Sequence, residues 1–422
     1  MIRQIEPSLL GGSIPAIVSK SDAHRLLICA ALADAPTRLR LSSRSEDIEA
    51  TLRCLIALGA RAEKLEADLF QIYPLADVNG PCLLDCSESG STLRFLLPLA
   101  AALRRDIRFI GHGRLPSRPL EPLLSRLIAC DAQISGSALP LETHGGLRGG
   151  DFLLPGDVSS QYISGLLFAL PLLPEESRIL LTTAPQSRPY IEMTLACLRR
   201  FGICIRDLEN GWQIPGGQRY RSPREVTAEG DWSNAAFWLC AGALGKKITV
   251  TNLSQNSLQG DRQIVSLLRR FGAEVTQTAA ETTVCPAPLK GIAIDASQIP
   301  DLVPVLSVVA CAAEGQTEIY NAGRLRLKES DRLSAISGQL QALGGRVIES
   351  QDSLLIKGCP LVGGKVSGYH DHRMVMAAAI AALRCSGAVQ IDGAEAVQKS
   401  YPAFFEDYER LGGHSYVIDA GR

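Results

Sequence analysis

IVSKSDAHRLLICAALADA, residues 17–35, places a charged start in front of an apolar run. From Leu26 onward the residues suit a helix buried on every side, yet its first turn holds Lys20, Ser21, Asp22, His24 and Arg25. A helix N-terminus already carries free N–H groups and about half a positive charge from its dipole. Lys20 and Arg25 therefore stand at the wrong end for stability. The stretch reads either as a solvated first turn or as a place where a bound anion offsets the conflict.

The same pattern returns along the chain, which decides the fold class. After SKSDAHRLL at Lys20 come SGSTLRFLL at Gly90, SSQYISGLL at Ser160, GDWSNAAFW at Asp231, IPDLVPVLS at Asp301 and HDHRMVMAA at Asp371, each about 70 residues after the last. A second, amphipathic helix keeps the same beat: DIEATLRCLIALGA, PLEPLLSRLIACDA, PYIEMTLACLRRFG, DRQIVSLLRRFGAEV, DRLSAISGQLQALGG and YPAFFEDYERLGG. Most of these end near a glycine, as a helix C-cap does. Short alternating runs such as AEKLEADLFQIYP and GRVIESQDSLLIKG follow and predict strands paired as hairpins.

The unit is strand, buried helix, strand, amphipathic helix, strand, strand, present six times. It is too long for a solenoid repeat, and six copies in 422 residues fit two domains of three. The halves divide near RSPREVTAEGD, ahead of the fourth copy. If equivalent helices run in parallel, their N-termini gather into an anion-attracting face in each domain.

Composition narrows the classes. The chain is 46% hydrophobic and 21% charged, ordinary for a globular protein. Its 43 basic and 44 acidic residues leave a formal charge of −1, which argues against broad nucleic-acid binding but not against a small cationic pocket. The 12 cysteines are scattered without a CxxC pair and mostly sit within apolar patterns, so they read as small hydrophobes rather than as disulfides or a metal site. MIRQIEPSLLGG lacks an apolar secretory core, and no run approaches the ~18 apolar residues of a membrane span. These features predict a cytoplasmic protein. P-loop, HExxH, GxSxG and dinucleotide fingerprints are missing from the sequence, so no cofactor is expected.

The polar residues at the helix starts are the candidates for chemistry. Ser159, Ser160 and Gln161 read either as helix caps or as donors to a phosphate and a hydroxylated ring. Gly90 permits close backbone approach to a ligand, though it is equally a turn residue. Asp301 and Asp371 read first as caps. RLRLKESDRL, residues 324–333, is either a solvated charged turn or a cationic wall with Glu329 set against Lys328 for proton transfer. His372 and Arg373 open another apolar helix, and Arg114, Arg118 and Lys399 add cations.

Taken together, SKSDAHR, SGSTLRF, RLPSRPL, DVSSQY, SRPYIEMTL, EGDWSNAAF, QGDR, IPDLVPVL, RLRLKESDRL, YHDHRM and KSYPAFFEDY closely resemble the EPSP synthase (3-phosphoshikimate 1-carboxyvinyltransferase) family, in order and spacing, from end to end. The resemblance implies an α/β fold: a two-domain inside-out α/β barrel of six βαβαββ repeats, three per domain. One domain would comprise 1–18 with 230–422 and the other 19–229, with the active site in the cleft between them. It implies transfer of the carboxyvinyl group of phosphoenolpyruvate to the 5-hydroxyl of shikimate 3-phosphate. Phosphate is released through a tetrahedral intermediate, in the shikimate pathway to chorismate and the aromatic amino acids.

Carried over by position, Lys20, Arg118, Arg332, Arg373 and Lys399 resemble the phosphoenolpyruvate clamp, with the backbone at Gly90. Ser21, Arg25, Ser159, Ser160, Gln161, Ser187, Arg324 and Lys328 resemble the shikimate 3-phosphate site. Asp301 is similar to the group that accepts the hydroxyl proton, Glu329 to a second acid–base group, and Lys20 assists. At about 1.5–2 charges per phosphate the ligands bring about five or six negative charges, which these cations would offset. No cofactor, metal, nucleic acid or membrane is implied, and the protein is expected to be monomeric.

Three departures from the family pattern stand out. Glu88 occupies a position often held by Asn, Arg324 one where some members have Asn, and Phe95 one where some have Pro. Gly90 is the position at which certain herbicide-tolerant members carry Ala, so the inhibitor glyphosate is expected to enter. Two other readings compete with this one. UDP-N-acetylglucosamine 1-carboxyvinyltransferases share the fold but often have a Cys in the loop where GHGRLPSRP has none, and a non-catalytic repeat scaffold would not need Asp301 and Glu329 beside so many cations.

Overall fold

The computed structural model describes residues 1–76 and 80–419. The chain is a mixed α/β protein of two compact units, Met1–Ser19 with Glu229–Arg422, and Lys20–Ala228. These limits lie one residue from those the resemblance implies.

Six apolar helices occupy Lys20–Leu32, Gly90–Ala102, Ser160–Ala169, Trp232–Leu244, Val303–Ala312 and His372–Ala381. They are buried because Ala, Leu, Val, Ile and Cys surround the axis instead of forming one stripe. Every residue from Trp232 to Leu244 is buried. Six amphipathic helices alternate with them: Glu46–Ala57, Leu123–Ala129, Arg188–Arg200, Ile264–Phe271, Arg332–Ala342 and Phe404–Arg410.

The strands form six four-stranded sheets of one design. In one of them Asp151–Leu154 runs parallel to Ser177–Leu181, which pairs antiparallel with Gly211–Ile214 and through it with Arg206–Leu208. At the two crossings between units the first strands are exchanged. Gly12–Pro15 precedes the Lys20 helix but pairs with Ile248–Thr251, while Glu225–Thr227 precedes the Trp232 helix but pairs with Thr37–Arg40. Ile2–Glu6 lies between Val389–Asp392 and His414–Asp419 and completes the last sheet.

Packing within each unit sets the helix starts. Pro98 has no N–H for the carbonyl of Arg94, one turn back in its helix. Gly165 lies against that carbonyl, where an added Cβ would come to 2.2 Å. This close approach brings Gln161 to Arg94 and Ser91. In the other unit Trp238 stacks on Phe404 at 4.8 Å and donates to the Tyr401 hydroxyl at 3.1 Å, which donates to Asp407 at 2.7 Å. This buried cluster anchors the chain just after Lys399.

Candidate active site

In the unit that contains both termini, charged groups interlock around Asp301. Asp301 lies in the turn Pro300–Leu302 ahead of its helix, whose N-cap position is Leu302. Its carboxylate receives Arg332 Nη1 at 2.8 Å, Arg373 Nη2 at 3.2 Å and Lys328 Nζ at 3.4 Å. Arg332, only 2% exposed, also reaches Glu329 Oε2 at 2.8 Å and Asp371 Oδ2 at 2.7 Å. Asp371 does cap its helix, accepting from the Arg373 N–H at 3.0 Å, and it takes Ser330 Oγ at 3.0 Å as well.

The electrostatics follow from this cage. Burial pushes the Asp301 carboxyl up, but Arg373, Lys328 and Arg332 more than reverse that and hold it well below the usual carboxylate range. Lys328 is lowered by burial, with Asp301 pulling the other way. Burial also lowers Arg332, but Asp371, Glu329 and Asp301 outweigh it, so its charge is fixed. Arg324, in the turn Gly323–Leu327, adds positive potential at Lys328. Lys399 ends the turn Ala394–Lys399 and is buried.

In the Lys20–Ala228 unit the helix starts present fewer carboxylates. Lys20 Nζ meets Asp47 Oδ2 at 2.8 Å. Arg25 is buried and donates to Thr194 Oγ1 at 2.9 Å, the Tyr190 carbonyl at 2.7 Å and the Ser21 carbonyl at 2.5 Å; burial lowers its pKa to about 10. At Gly90 two guanidinium groups crowd the backbone: a Cβ there would lie 2.6 Å from Nη1 of both Arg94 and Arg118. Arg94 donates to Gln161 Oε1 and to the Pro119 carbonyl, each at 3.0 Å, while Gln161 Nε2 donates to Ser91 at 2.9 Å. Ser159 caps its helix at the Gln161 N–H, and Ser160 follows it, buried. Ser187 precedes the Arg188 helix with a left-handed φ of 54°, strained for a residue with a Cβ.

Two buried polar chains tie these starts together. His24 Nδ1 meets Thr51 Oγ1 at 2.7 Å, Thr51 meets Thr92 at 2.6 Å, and Thr92 donates to Ser89 at 2.8 Å. On the other side Arg25, Thr194 and Ser164 are linked, with Ser164 and Thr194 hydroxyls 2.8 Å apart. His24 is thus a structural residue; burial pushes its pKa down to about 3, which keeps it neutral.

The structure corrects several sequence readings. The Lys20 charge is met inside the protein by Asp47, so a ligand is not its first counter-ion. Asp301 stands inside the turn rather than at the N-cap position and is an ion-pair centre; Lys328 pairs with Asp301, while Glu329 pairs with Arg332. Arg326 turns away to Asp331 and Glu349, so it is not part of the cationic wall. Glu88 leans onto Gly113, where a Cβ would lie 2.0 Å from Oε1. Sequence reading passed over Asp47, Arg94 and Asp371 as site residues. Asp47 falls in the first turn of an amphipathic helix, with nothing local to single it out, and Asp371 reads as a cap.

Helix starts that carry arginines and lysines beside an ionised carboxylate define a protein built to handle multiply anionic small molecules. The EPSP synthase (3-phosphoshikimate 1-carboxyvinyltransferase) model matches residues 6–408, and the chain belongs to that family. It is 44% identical over 418 residues to a 3-phosphoshikimate 1-carboxyvinyltransferase of Clostridium kluyveri, covering 97% of each chain. It is 43% identical over 419 residues to one from Clostridium perfringens, covering 97% of this chain and 98% of the relative. An EPSP synthase structure from Acinetobacter baumannii superposes with a TM-score of 0.84 at 26% identity, over 99% of this chain and all of that one. No helix among the described residues is long and apolar enough to cross a membrane.

Proposed function

We propose that this protein transfers the carboxyvinyl group of phosphoenolpyruvate to the 5-hydroxyl of shikimate 3-phosphate and releases phosphate. Membership of the family makes this the leading reaction, and the observation that carries it is Asp301 at the focus of Arg332, Arg373 and Lys328. At rest the three cations keep Asp301 ionised but make it a weak base. Arriving phosphate and carboxylate groups compete for the same cations. As their hold on Asp301 loosens, its basicity rises towards what removal of the hydroxyl proton needs. Substrate binding would thereby switch on the base.

In this reading Lys20, Arg118, Arg332, Arg373 and Lys399 clamp phosphoenolpyruvate beside Gly90. Ser21, Arg25, Ser159, Ser160, Gln161, Ser187, Arg324 and Lys328 hold shikimate 3-phosphate. Glu329 delivers a proton to the methylene carbon and later removes one, so that addition and elimination share a carboxylate, and Lys20 assists. The reading takes the fold as an inside-out α/β barrel of six βαβαββ repeats, acting as a cytoplasmic monomer. The six like sheets and the six buried helices support it.

The test is phosphate release from phosphoenolpyruvate with shikimate 3-phosphate, run beside a reaction with UDP-N-acetylglucosamine. Release with the first acceptor alone is expected. Release with the nucleotide sugar alone, or with neither while the protein is folded, overturns the proposal.

A further inference from the structure

Three repeats bring two chain positions together, 27 or 28 residues apart: Lys20 with Asp47, Ser233 with Asp261, and Asp301 with Lys328. The crowding of Gly90 by Arg118 has the same spacing. Counting the same spacing from each buried-helix start, the equivalent positions are Asp47, Arg118, Ser187, Asp261, Lys328 and Lys399, one per repeat. Four of the six are already placed in the proposed site, and Asp47 holds Lys20. The fourth repeat alone contributes nothing so far, and its residue is a carboxyl.

Asp261 lies in the turn Gly260–Gln263 and is 1% exposed. Ser233 Oγ donates to Oδ2, while Oδ1 is buried with no hydrogen-bond partner. Among the described residues no cation forms an ion pair with it, although Arg373 is near enough to act on it electrostatically. Arg373 instead commits its side chain to Asp301, through the carboxylate and the backbone carbonyl, each at 3.2 Å. The other charges facing Asp261 are Asp301, from the turn Pro300–Leu302, and Asp231, the cap of the Trp232 helix; its neighbour Arg262 turns away to the Gln255 carbonyl.

A buried carboxylate with one hydroxyl donor, no paired cation and two other carboxylates close by is costly to ionise. We propose that Asp261 is a positioning residue that works in its protonated, neutral form, leaving the charge of Arg373 to Asp301 and to the incoming anionic substrate. Burial first, then the charge of Asp301, pushes its pKa up to about 7, so it is mostly neutral below about pH 6 and ionises through neutrality. Once ionised, Asp261 draws on Arg373 and adds negative charge where an anion must bind. The inference rests on the reaction proposed above for its kinetic part only.

The experiment uses the full chain and its Asp261→Asn variant, in which an amide stands for the neutral acid. In the wild-type protein kcat/KM for phosphoenolpyruvate should fall between pH 7 and 9, approaching about tenfold per pH unit for a single ionisation. In Asp261→Asn the same limb should flatten to within about threefold. Without substrate, the folded protein resists ionising Asp261 while the unfolded chain ionises above about 4, so the wild type loses stability as pH rises from there to about 7. The variant should therefore gain a few °C in Tm at pH 8.5 and about none at pH 4.

A gain in Tm that does not depend on pH overturns the neutral state. A pH-dependent gain with an unaltered kinetic limb overturns the role at Arg373. Should the wild type show no turnover with these substrates, the proposed reaction fails instead, and the Tm comparison still decides the protonation state. If Asp261→Asn does not fold, infrared titration of the wild type serves: a protonated-carboxyl band present at pH 6 and lost by pH 9 supports the proposal, and its absence at pH 6 overturns it.

Discussion

The two units carry the same sheets and the same buried helices, yet they hold the arginines at their helix starts differently, although Lys20 meets a carboxylate in one as Arg332 does in the other. In the unit with Asp301, cations and carboxylates neutralise each other: Arg332 alone touches Glu329, Asp301 and Asp371. In the Lys20–Ala228 unit, Arg25 and Arg94 are held mainly by carbonyls, a hydroxyl and an amide, which fix the side chains without cancelling their charge. One arrangement stores carboxylates whose basicity depends on what else the cations hold. The other keeps positive potential in reserve for anions. The same fold can thus supply acid–base chemistry in one half and anion capture in the other, and the difference lies in the partners chosen at each helix start.

The sharpest way to break this contrast is at Asp301. Asp301→Asn keeps the shape but removes the base, so kcat should fall by about 10² to 10⁴ while affinity for a phosphoenolpyruvate analogue stays within about threefold, measured by calorimetry. Equal loss of binding would mean that Asp301 only organises the cations. Arg332→Met tests the cage itself. It leaves Asp371, Glu329 and Asp301 without their shared cation and should cost about 3–5 kcal/mol by chemical denaturation, because the stranded charges are buried. A loss under about 1 kcal/mol would show that the cage contributes little to stability.

Acid should separate the units. The neutral His24 of the Lys20–Ala228 unit is held down to about 3 by burial. Its unfolded counterpart gains a proton below about 6.5, so this unit loses stability as pH falls from there towards 3, by as much as about 4 kcal/mol. In the other unit Asp261 works in the opposite direction, adding stability as pH falls from about 7 towards 4. Asp301, held below its ordinary value, removes stability only below about 4. Hydrogen exchange followed by mass spectrometry at pH 7 and pH 4.5 should therefore show protection falling first in residues 20–228, and His24→Gln should abolish the difference. Parallel loss in both units would contradict the sign of at least one of these shifts.

The fold was legible because it repeats. Six apolar starts about 70 residues apart need only hydrophobic pattern and spacing, and both are local. The charged helix starts were legible as candidates, but not how their side chains are held. Asp47 and Lys20 are 27 residues apart, Asp371 and Arg332 are 39, and Arg25 and Thr194 are 169. Such pairings arise from helix packing across a unit, which no local pattern encodes. The exchange of first strands follows from the domain limits that the resemblance implies, but the partners do not: only pairing shows Gly12–Pro15 beside Ile248–Thr251 and Glu225–Thr227 beside Thr37–Arg40.

The smallest effect tests the anion-capturing unit where it is tightest. Gly90→Ala places a methyl carbon 2.6 Å from both Arg94 and Arg118. Arg94 is held by Gln161 and the Pro119 carbonyl, and displacement of Arg118 is the outcome to test. The expected result is a rise of about tenfold in KM for phosphoenolpyruvate, about 1.4 kcal/mol, with kcat changed less. Glyphosate, expected to compete with phosphoenolpyruvate in the wild type, should inhibit the variant more weakly. A double-mutant cycle locates the cause. If the methyl acts by displacing Arg118, Gly90→Ala should add almost nothing to Arg118→Ala, and the two losses will fall well short of additivity. Full additivity would mean that the methyl blocks the ligand directly and that Arg118 keeps its place.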